Sequence, residues 1–237
     1  MLVLGIETST PQTSVAIGSE QGVIASALVS RGSSHNEFLL PAVRFCLDQV
    51  GLGFRNLGGI AVSLGPGLYT GMRVGVATAK ALAQSLSIPI VGMASLDLLA
   101  YDVRYSSKGI CAVLDARRGE VFTAFYRSSP GGIQRMSPYR VEKPEQLAVG
   151  ISSRPEEVLM IGDGALAYSE IFEELGSVVE VGTMSHAFPN ARALVELALP
   201  RMYREDFDSL YTLKPLYLRR SAKRIQWQRI RDRRRSA

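Results

Sequence analysis

Three short segments near the start decide the fold: Leu2-Val-Leu-Gly-Ile-Glu7, Thr13-Ser-Val-Ala-Ile-Gly18 and Val23-Ile-Ala-Ser-Ala-Leu-Val-Ser-Arg31. Each is short and apolar, and turn residues separate them, first Thr10-Pro11-Gln12 and then Ser19-Glu20-Gln21-Gly22. The pattern predicts a three-strand meander. Ser33 and Ser34 are suitable N-caps for a helix over about 35–50, which Gly51 ends. Gly59–Leu64 reads as a fourth strand, and a helix follows from about 70 to 87, closed by Pro89. Pro89–Met93 reads as a strand and Ser95–Val103 as a helix, so the first half runs β-β-β-α-β-α-β-α.

The second half repeats this order. Gly109–Asp115, Glu120–Tyr126 and Gly132–Val141 read as three strands, followed by a short helix over Pro144–Val149. Glu157–Gly162 and Val178–Gly182 read as strands, Ala165–Leu175 and Asn190–Tyr203 as helices. The halves share order rather than residues. Two such units predict an α/β, two-lobed fold of duplicated ribonuclease-H-like halves, the actin-like ATPase (ASKHA) architecture. The expected lobes are 1–105 and 106–218, with 219–237 as a basic tail.

Composition sets the class. The chain has 237 residues, 46% apolar and 21% charged, as in ordinary globular proteins. No apolar run approaches the roughly 18 residues of a membrane span, because Arg73 and Lys80 interrupt the longest one. The N-terminus lacks a basic n-region and a small-residue cleavage site, so it reads as a strand and not a signal peptide. Cys46 and Cys111 lie in apolar segments and read as buried free thiols, which fits a cytoplasmic location. Charge is uneven: residues 219–237 hold nine Arg/Lys against one Asp, a net of +8, while the whole chain is +5, leaving −3 for residues 1–218.

Several segments are candidates for chemistry. In the opening hairpin Glu7 supplies a carboxylate and Thr8, Ser9 and Thr10 hydroxyls, but the turn holds no glycine and Pro11 removes a donor. It reads as a Ser/Thr-rich hairpin or as a vestigial phosphate site. Gly65-Pro66-Gly67 follows a strand and opens a helix, with Thr70 as N-cap and Arg73 in the first turn. Anions bind at such places, although the P-loop ending is absent. Asp115 and Gly162-Asp163-Gly164 would flank the cleft from the second lobe, or serve as plain turn residues.

No metal site is expected. The i+4 neighbour of His35 is Leu39, so the histidine pair of metalloproteases is missing. No serine sits in a Gly-x-Ser-x-Gly elbow. Two helices carry more apolar surface than one sheet face needs. The first shows His35, Phe38, Leu39, Ala42, Val43 and Cys46; the second has a small ridge, Gly71, Gly75, Ala79 and Ala83, flanked by Thr78 and Leu82. Such surface is covered by a second helix of the chain or by another protein. Arg219, Arg220, Lys223, Arg224 and Trp227 form a cluster that either contacts phosphates and bases of tRNA or stays solvated.

Taken in order, Ile6-Glu-Thr-Ser9, Ser34-His35, Leu39-Leu40-Pro41, Gly65-Pro-Gly-Leu-Tyr-Thr-Gly-Met-Arg-Val-Gly75, Leu114-Asp-Ala-Arg-Arg-Gly-Glu-Val121, Gly162-Asp-Gly164 and Pro215-Leu-Tyr-Leu-Arg219 resemble the TsaB (YeaZ) family over residues 1 to about 219. The resemblance implies an actin-like fold and a role in forming threonylcarbamoyladenosine beside the tRNA anticodon. It implies a non-catalytic, metal-free subunit that pairs with itself through first-lobe helices, or with the metal-binding catalytic paralogue TsaD. TsaE, a small ATPase, joins them, so ATP, ADP and Mg²⁺ are expected only as ligands of the assembled complex. The competing reading is a stand-alone phosphotransferase or glycoprotease-like enzyme. The chain departs from the family pattern at Glu7, where Asp is usual, at Leu68-Tyr69, and in its tail. A tRNA role for that tail is expected from charge, not from the resemblance.

Overall fold

The structure, a computed structural model, describes residues 1–30 and 35–219. The expected caps Ser33 and Ser34 and the tail residues Arg220, Lys223, Arg224 and Trp227 lie outside the described residues. Strand β1 (Val3–Glu7) is buried along its whole length. Strands β2 (Gln12–Ser19) and β3 (Gly22–Ser30) fold back on it, antiparallel in register Gly5↔Ala16 and Val15↔Ala27. After helix α1 (His35–Gln49), β4 (Gly59–Ser63) runs parallel to β1; after α2 (Tyr69–Leu86), β5 (Ile90–Met93) runs parallel to β4. The sheet order is β3-β2-β1-β4-β5.

The second sheet has the same plan. Strands β6 (Gly109–Arg117), β7 (Glu120–Ser129) and β8 (Gly132–Arg135) form the meander, and β10 (Val158–Ile161) and β11 (Val179–Val181) add parallel strands in the order β11-β10-β6-β7-β8. The duplicated order expected from the sequence is thus the observed topology.

The two-residue period of a strand divides the first sheet between two helix layers. Leu4, Ile6, Val15, Ile17, Ile60 and Val62 pack with α1 and α2 on one face. Val3, Ala16, Ala61 and Val91 pack on the other with α7 (Ala191–Tyr203). Asn190 caps α7, its side chain accepting from Arg192 N and Ala193 N. Helix α3 (Ser95–Asp102) turns Leu96, Leu99 and Ala100 to the second sheet and Leu98 and Tyr101 to α7. A cut at residue 105 therefore separates strands but not helices: α7 lies on the first sheet and α3 on the second.

Three local expectations need correction. The segment 132–141 is two strands, β8 and β9 (Arg140–Glu142), because Pro138 lacks the N–H that a continuous ladder needs. The helix expected over 165–175 is two, α5 (Asp163–Ala167) and α6 (Ser169–Glu173), after α4 (Pro144–Ser152); Tyr168, at φ −121° and ψ 27°, breaks the turn between them. Helix α2 begins one residue early, with Leu68 as N-cap, so Thr70 lies inside the first turn and caps nothing. Cys46 and Cys111 are buried and free. Among the described residues no helix is long and apolar enough to cross a membrane.

Candidate functional site

The parallel strands of both sheets end at a cleft between the lobes, where ligands of α/β proteins ordinarily bind. From the first lobe come Glu7 at the end of β1 and the buried turn Thr8-Ser9-Thr10. The Gly65-Pro66-Gly67 turn presses directly on them. A Cβ on Gly67 would lie 2.0 Å from Ser9 O, one on Gly71 2.0 Å from Thr8 O, and one on Gly75 2.3 Å from Thr8 Oγ1. Leu68 N donates to Ser9 O at 2.6 Å, Thr8 Oγ1 to Gly71 O at 2.7 Å, and Ser95 Oγ to Pro66 O at 2.5 Å. The close backbone approach that glycine permits is used by the chain itself, not left for a phosphate.

The second lobe closes the cleft in the same way. A Cβ on Gly162, whose φ is +111°, would meet Val113 O at 1.9 Å, and one on Gly164 would meet Leu114 C at 2.8 Å. Asp163 Oδ1 accepts from Asp115 N at 2.9 Å. Between Ser9, Thr10, Gly67, Asp115 and Asp163 there remains a space of ≈ 10 Å³, the size of one water.

The cleft floor is polar and weakly charged. Glu7 is fully buried; its Oε1 accepts from Ser9 N at 2.5 Å, while its Oε2, Ser9 Oγ and Thr10 Oγ1 have no hydrogen-bond partner among the described residues. Burial pushes the Glu7 carboxyl up to about 7 and Asp163 up to about 6, against the hydrogen bonds that lower them. The actin-like fold implies ATP and Mg²⁺ here, but these residues do not fit them: the space is too small for a phosphate, and Glu7 holds its proton up to neutrality. Among the described residues no three His, Cys, Asp or Glu are grouped to hold a metal.

The expected partner surface is largely turned inward. Gly71, Gly75, Ala79 and Ala83 are buried against the chain's own β1–β2 hairpin and core. Leu39, Ala42, Val43 and Cys46 fill the same core, and His35 is buried, its Nδ1 2.5 Å from Thr13 Oγ1. Burial lowers the His35 pKa, disfavouring the charged ring. These residues therefore offer no docking surface. What α1 and α2 present outward is an apolar strip of Phe45, 55% exposed, with the half-buried Phe38, Val74, Thr78 and Leu82, while Leu40, 48% exposed, lies on the other flank of α1.

Above the closed floor the cleft widens into a pocket of ≈ 530 Å³. Arg73 and Arg219, both named as candidate site residues from the sequence, meet there with Tyr69, Arg117, Arg118 and Tyr217, which were given no site role. The Arg73 guanidinium lies 4.0 Å over the Tyr69 ring, and its Nε donates to Tyr217 Oη at 2.9 Å. These residues come from three separate motifs of the sequence, which only the fold brings together.

Comparison with known proteins places the chain. The TsaD family, described as tRNA N6-adenosine threonylcarbamoyltransferase, matches residues 19–227. The tRNA threonylcarbamoyladenosine biosynthesis protein TsaB of Bacillus subtilis is 32% identical over 96% of this chain and 98% of its own length. Its Escherichia coli counterpart is 26% identical over 97% and 98%. The structure of YeaZ from Pseudomonas aeruginosa superposes with a TM-score of 0.80 at 28% identity, covering 92% of this chain and 99% of that one. The activator of 2-hydroxyisocaproyl-CoA dehydratase from Clostridium difficile, solved with bound ADPNP, has a TM-score of 0.51 at 10% identity over 92% and 100%, and shares the fold alone.

Proposed function

Because the chain belongs to the TsaB (YeaZ) proteins of the TsaD family and takes part in tRNA threonylcarbamoyladenosine biosynthesis, we propose that it does so as a non-catalytic subunit. Its task in this reading is to pair with the TsaD-type catalytic paralogue and, with it, to receive the TsaE-type ATPase, in the cytoplasm. The observation that carries the reading is the cleft floor, where Gly67, Gly71 and Gly162 bring backbone against backbone and leave ≈ 10 Å³. An actin-like protein whose own atoms fill its phosphate site has lost the means to bind and turn over a nucleotide there. A stand-alone phosphotransferase or metalloprotease is disfavoured by the same floor and by the core packing of His35.

The outward strip of α1 and α2 supplies the second half of the reading. Phe38, Phe45, Val74 and Leu82 leave apolar side chains at the surface of the first lobe, and a patch of this kind suits a helical partner. The same strip serves a homodimer when the partner is absent. The test is a reconstituted threonylcarbamoylation of tRNA with TsaD-type and TsaE-type proteins. The reaction is expected to need this chain and to stop with Phe45→Glu, while the pure chain shows no turnover of ATP. Turnover of ATP by the chain alone would overturn the non-catalytic assignment.

A further inference from the structure

The pocket at the cleft mouth carries features that pairing with another protein does not require. Its walls are the start of α2, the tip of the β6–β7 hairpin and the strap 216–219 that ends the described chain. At the hairpin tip, Arg117 and Arg118 have φ of +62° and +60°, followed by Gly119 at +72°. This is the left-handed region, where glycine and asparagine belong and arginine is strained. Asp115 holds the strained form: its Oδ1 accepts from Arg117 N at 2.7 Å, and its Oδ2 lies 3.2 Å from the Arg117 guanidinium. Strain of this kind persists where it positions functional groups, and here it aims two arginines at a pocket already holding Arg73 and Arg219.

The charges there are incompletely matched. Arg117 pairs with Asp115 and Arg219 with Glu120, whereas among the described residues Arg73 and Arg118 make no ion pair. The rings of Tyr69 and Tyr217 stand 5.4 Å apart, the latter 43% exposed. Guanidinium groups beside exposed aromatic faces are the recognition chemistry of nucleotides, phosphate on the first and base on the second. The volume is that of an ordinary ligand pocket.

Continuity with the sequence decides between one nucleotide and a strand. From Arg219, on the pocket's rim, the chain continues into residues 220–237, which hold eight Arg/Lys against one Asp and include Trp227. A mononucleotide would match the pocket and leave that segment's +7 unanswered; a polyanion matches both. We propose that the cleft-mouth pocket binds single-stranded RNA, with phosphodiester oxygens on Arg73 and Arg118 and a base stacked on Tyr217. The choice of RNA over other polyanions rests on the tRNA pathway reached above.

The experiment is fluorescence anisotropy of a labelled single-stranded RNA oligonucleotide with the full chain, titrated from about 50 to 200 mM salt. Arg118→Gly suits the backbone and keeps the fold; it is expected to weaken binding about fivefold and lower the slope of log K against log[salt] by about 0.7. Tyr217→Leu is expected to weaken binding roughly tenfold with the slope unchanged, because stacking releases no counterions. Arg44→Gln, on the exposed face of α1, is expected to bind as the parent does. Wild-type affinity in both pocket variants, or an equal loss in Arg44→Gln, would overturn the proposal. So would displacement of the RNA by AMP at an equal nucleotide concentration, which would make this a mononucleotide pocket. Pairing with TsaD is read separately by light scattering, so a chain that pairs but ignores RNA sinks this inference and leaves the subunit role standing.

Discussion

Replacing Gly71 with alanine tests whether the small-residue ridge of α2 is locked inside the chain. The new methyl would sit 2.0 Å from Thr8 O and 3.1 Å from His35 Nε2. Both walls are fixed, since Thr8 is backbone in a buried turn and the His35 ring is held by Thr13. Relief requires α2 to back away by about an ångström, because carbon and oxygen meet comfortably only beyond about 3.3 Å. That shift breaks the bond from Thr8 Oγ1 to Gly71 O. Overpacking costs about 3 kcal/mol at a site this tight, and the lost hydrogen bond about 1 kcal/mol. Better helix propensity returns about 1 kcal/mol. The net is a destabilisation of about 3 kcal/mol, a fall in Tm of about 6–12 °C for a chain of this size. Gly75→Ala meets the Thr8 hydroxyl at 2.3 Å and Ile6 Cγ2 at 3.7 Å; turning Thr8 aside gives up its bond to Gly71 O, about 1 kcal/mol, which better helix propensity offsets, so its effect is within about 1 kcal/mol of zero. Gly150→Ala on α4 meets nothing within 4 Å and is expected to stabilise by about 0.5–1 kcal/mol. Calorimetry with urea titration reads all three. A Gly71→Ala variant that melts at or above wild type would refute the reasoning and return the ridge to the surface.

Two further predictions come from the same structure and a third from the charge of the sequence. Burial raises the Glu7 carboxyl from 4.5 to about 7 in the folded state, so between those values the folded chain holds more protons than the unfolded one and stability falls as pH rises. Above pH 7 the loss is complete, up to about 3 kcal/mol; urea midpoints of wild type and Glu7→Gln, compared from pH 5 to 8, should diverge in favour of Gln as pH rises, and parallel curves would contradict this. Asn190→Ala removes the cap of α7 and the donor to Asp102 Oδ2 at 2.5 Å, and should cost about 1–2 kcal/mol in chemical denaturation. Deleting 220–237 should weaken tRNA binding by the assembled complex and flatten its salt dependence; an unchanged salt slope would remove that segment from RNA contact.

The fold was legible because strand period and turn residues agree along both halves. Val15, Ala16 and Ile17 alternate between helix layers as a period of two demands. What was not legible is what each face meets. Gly71, Gly75, Ala79 and Ala83 give the same pattern whether the helix lies on a partner or on its own hairpin, since small residues record closeness and not identity. The pocket was hidden for a related reason. Tyr69, Arg118 and Tyr217 are far apart in the chain, and Arg117-Arg118 carries no turn signal of its own; only Gly119 hinted at a left-handed tip. Pro138 and Tyr168 each broke an element that propensity alone would have run through.

The most direct test of the account is size-exclusion chromatography with light scattering on the chain alone and mixed with the TsaD-type protein of the same organism. The account predicts a homodimer that converts to a heterodimer, and a Phe45→Glu variant that forms neither while melting as wild type does. A monomer that ignores the TsaD-type protein, or a Phe45→Glu variant that pairs as well as wild type, would contradict it.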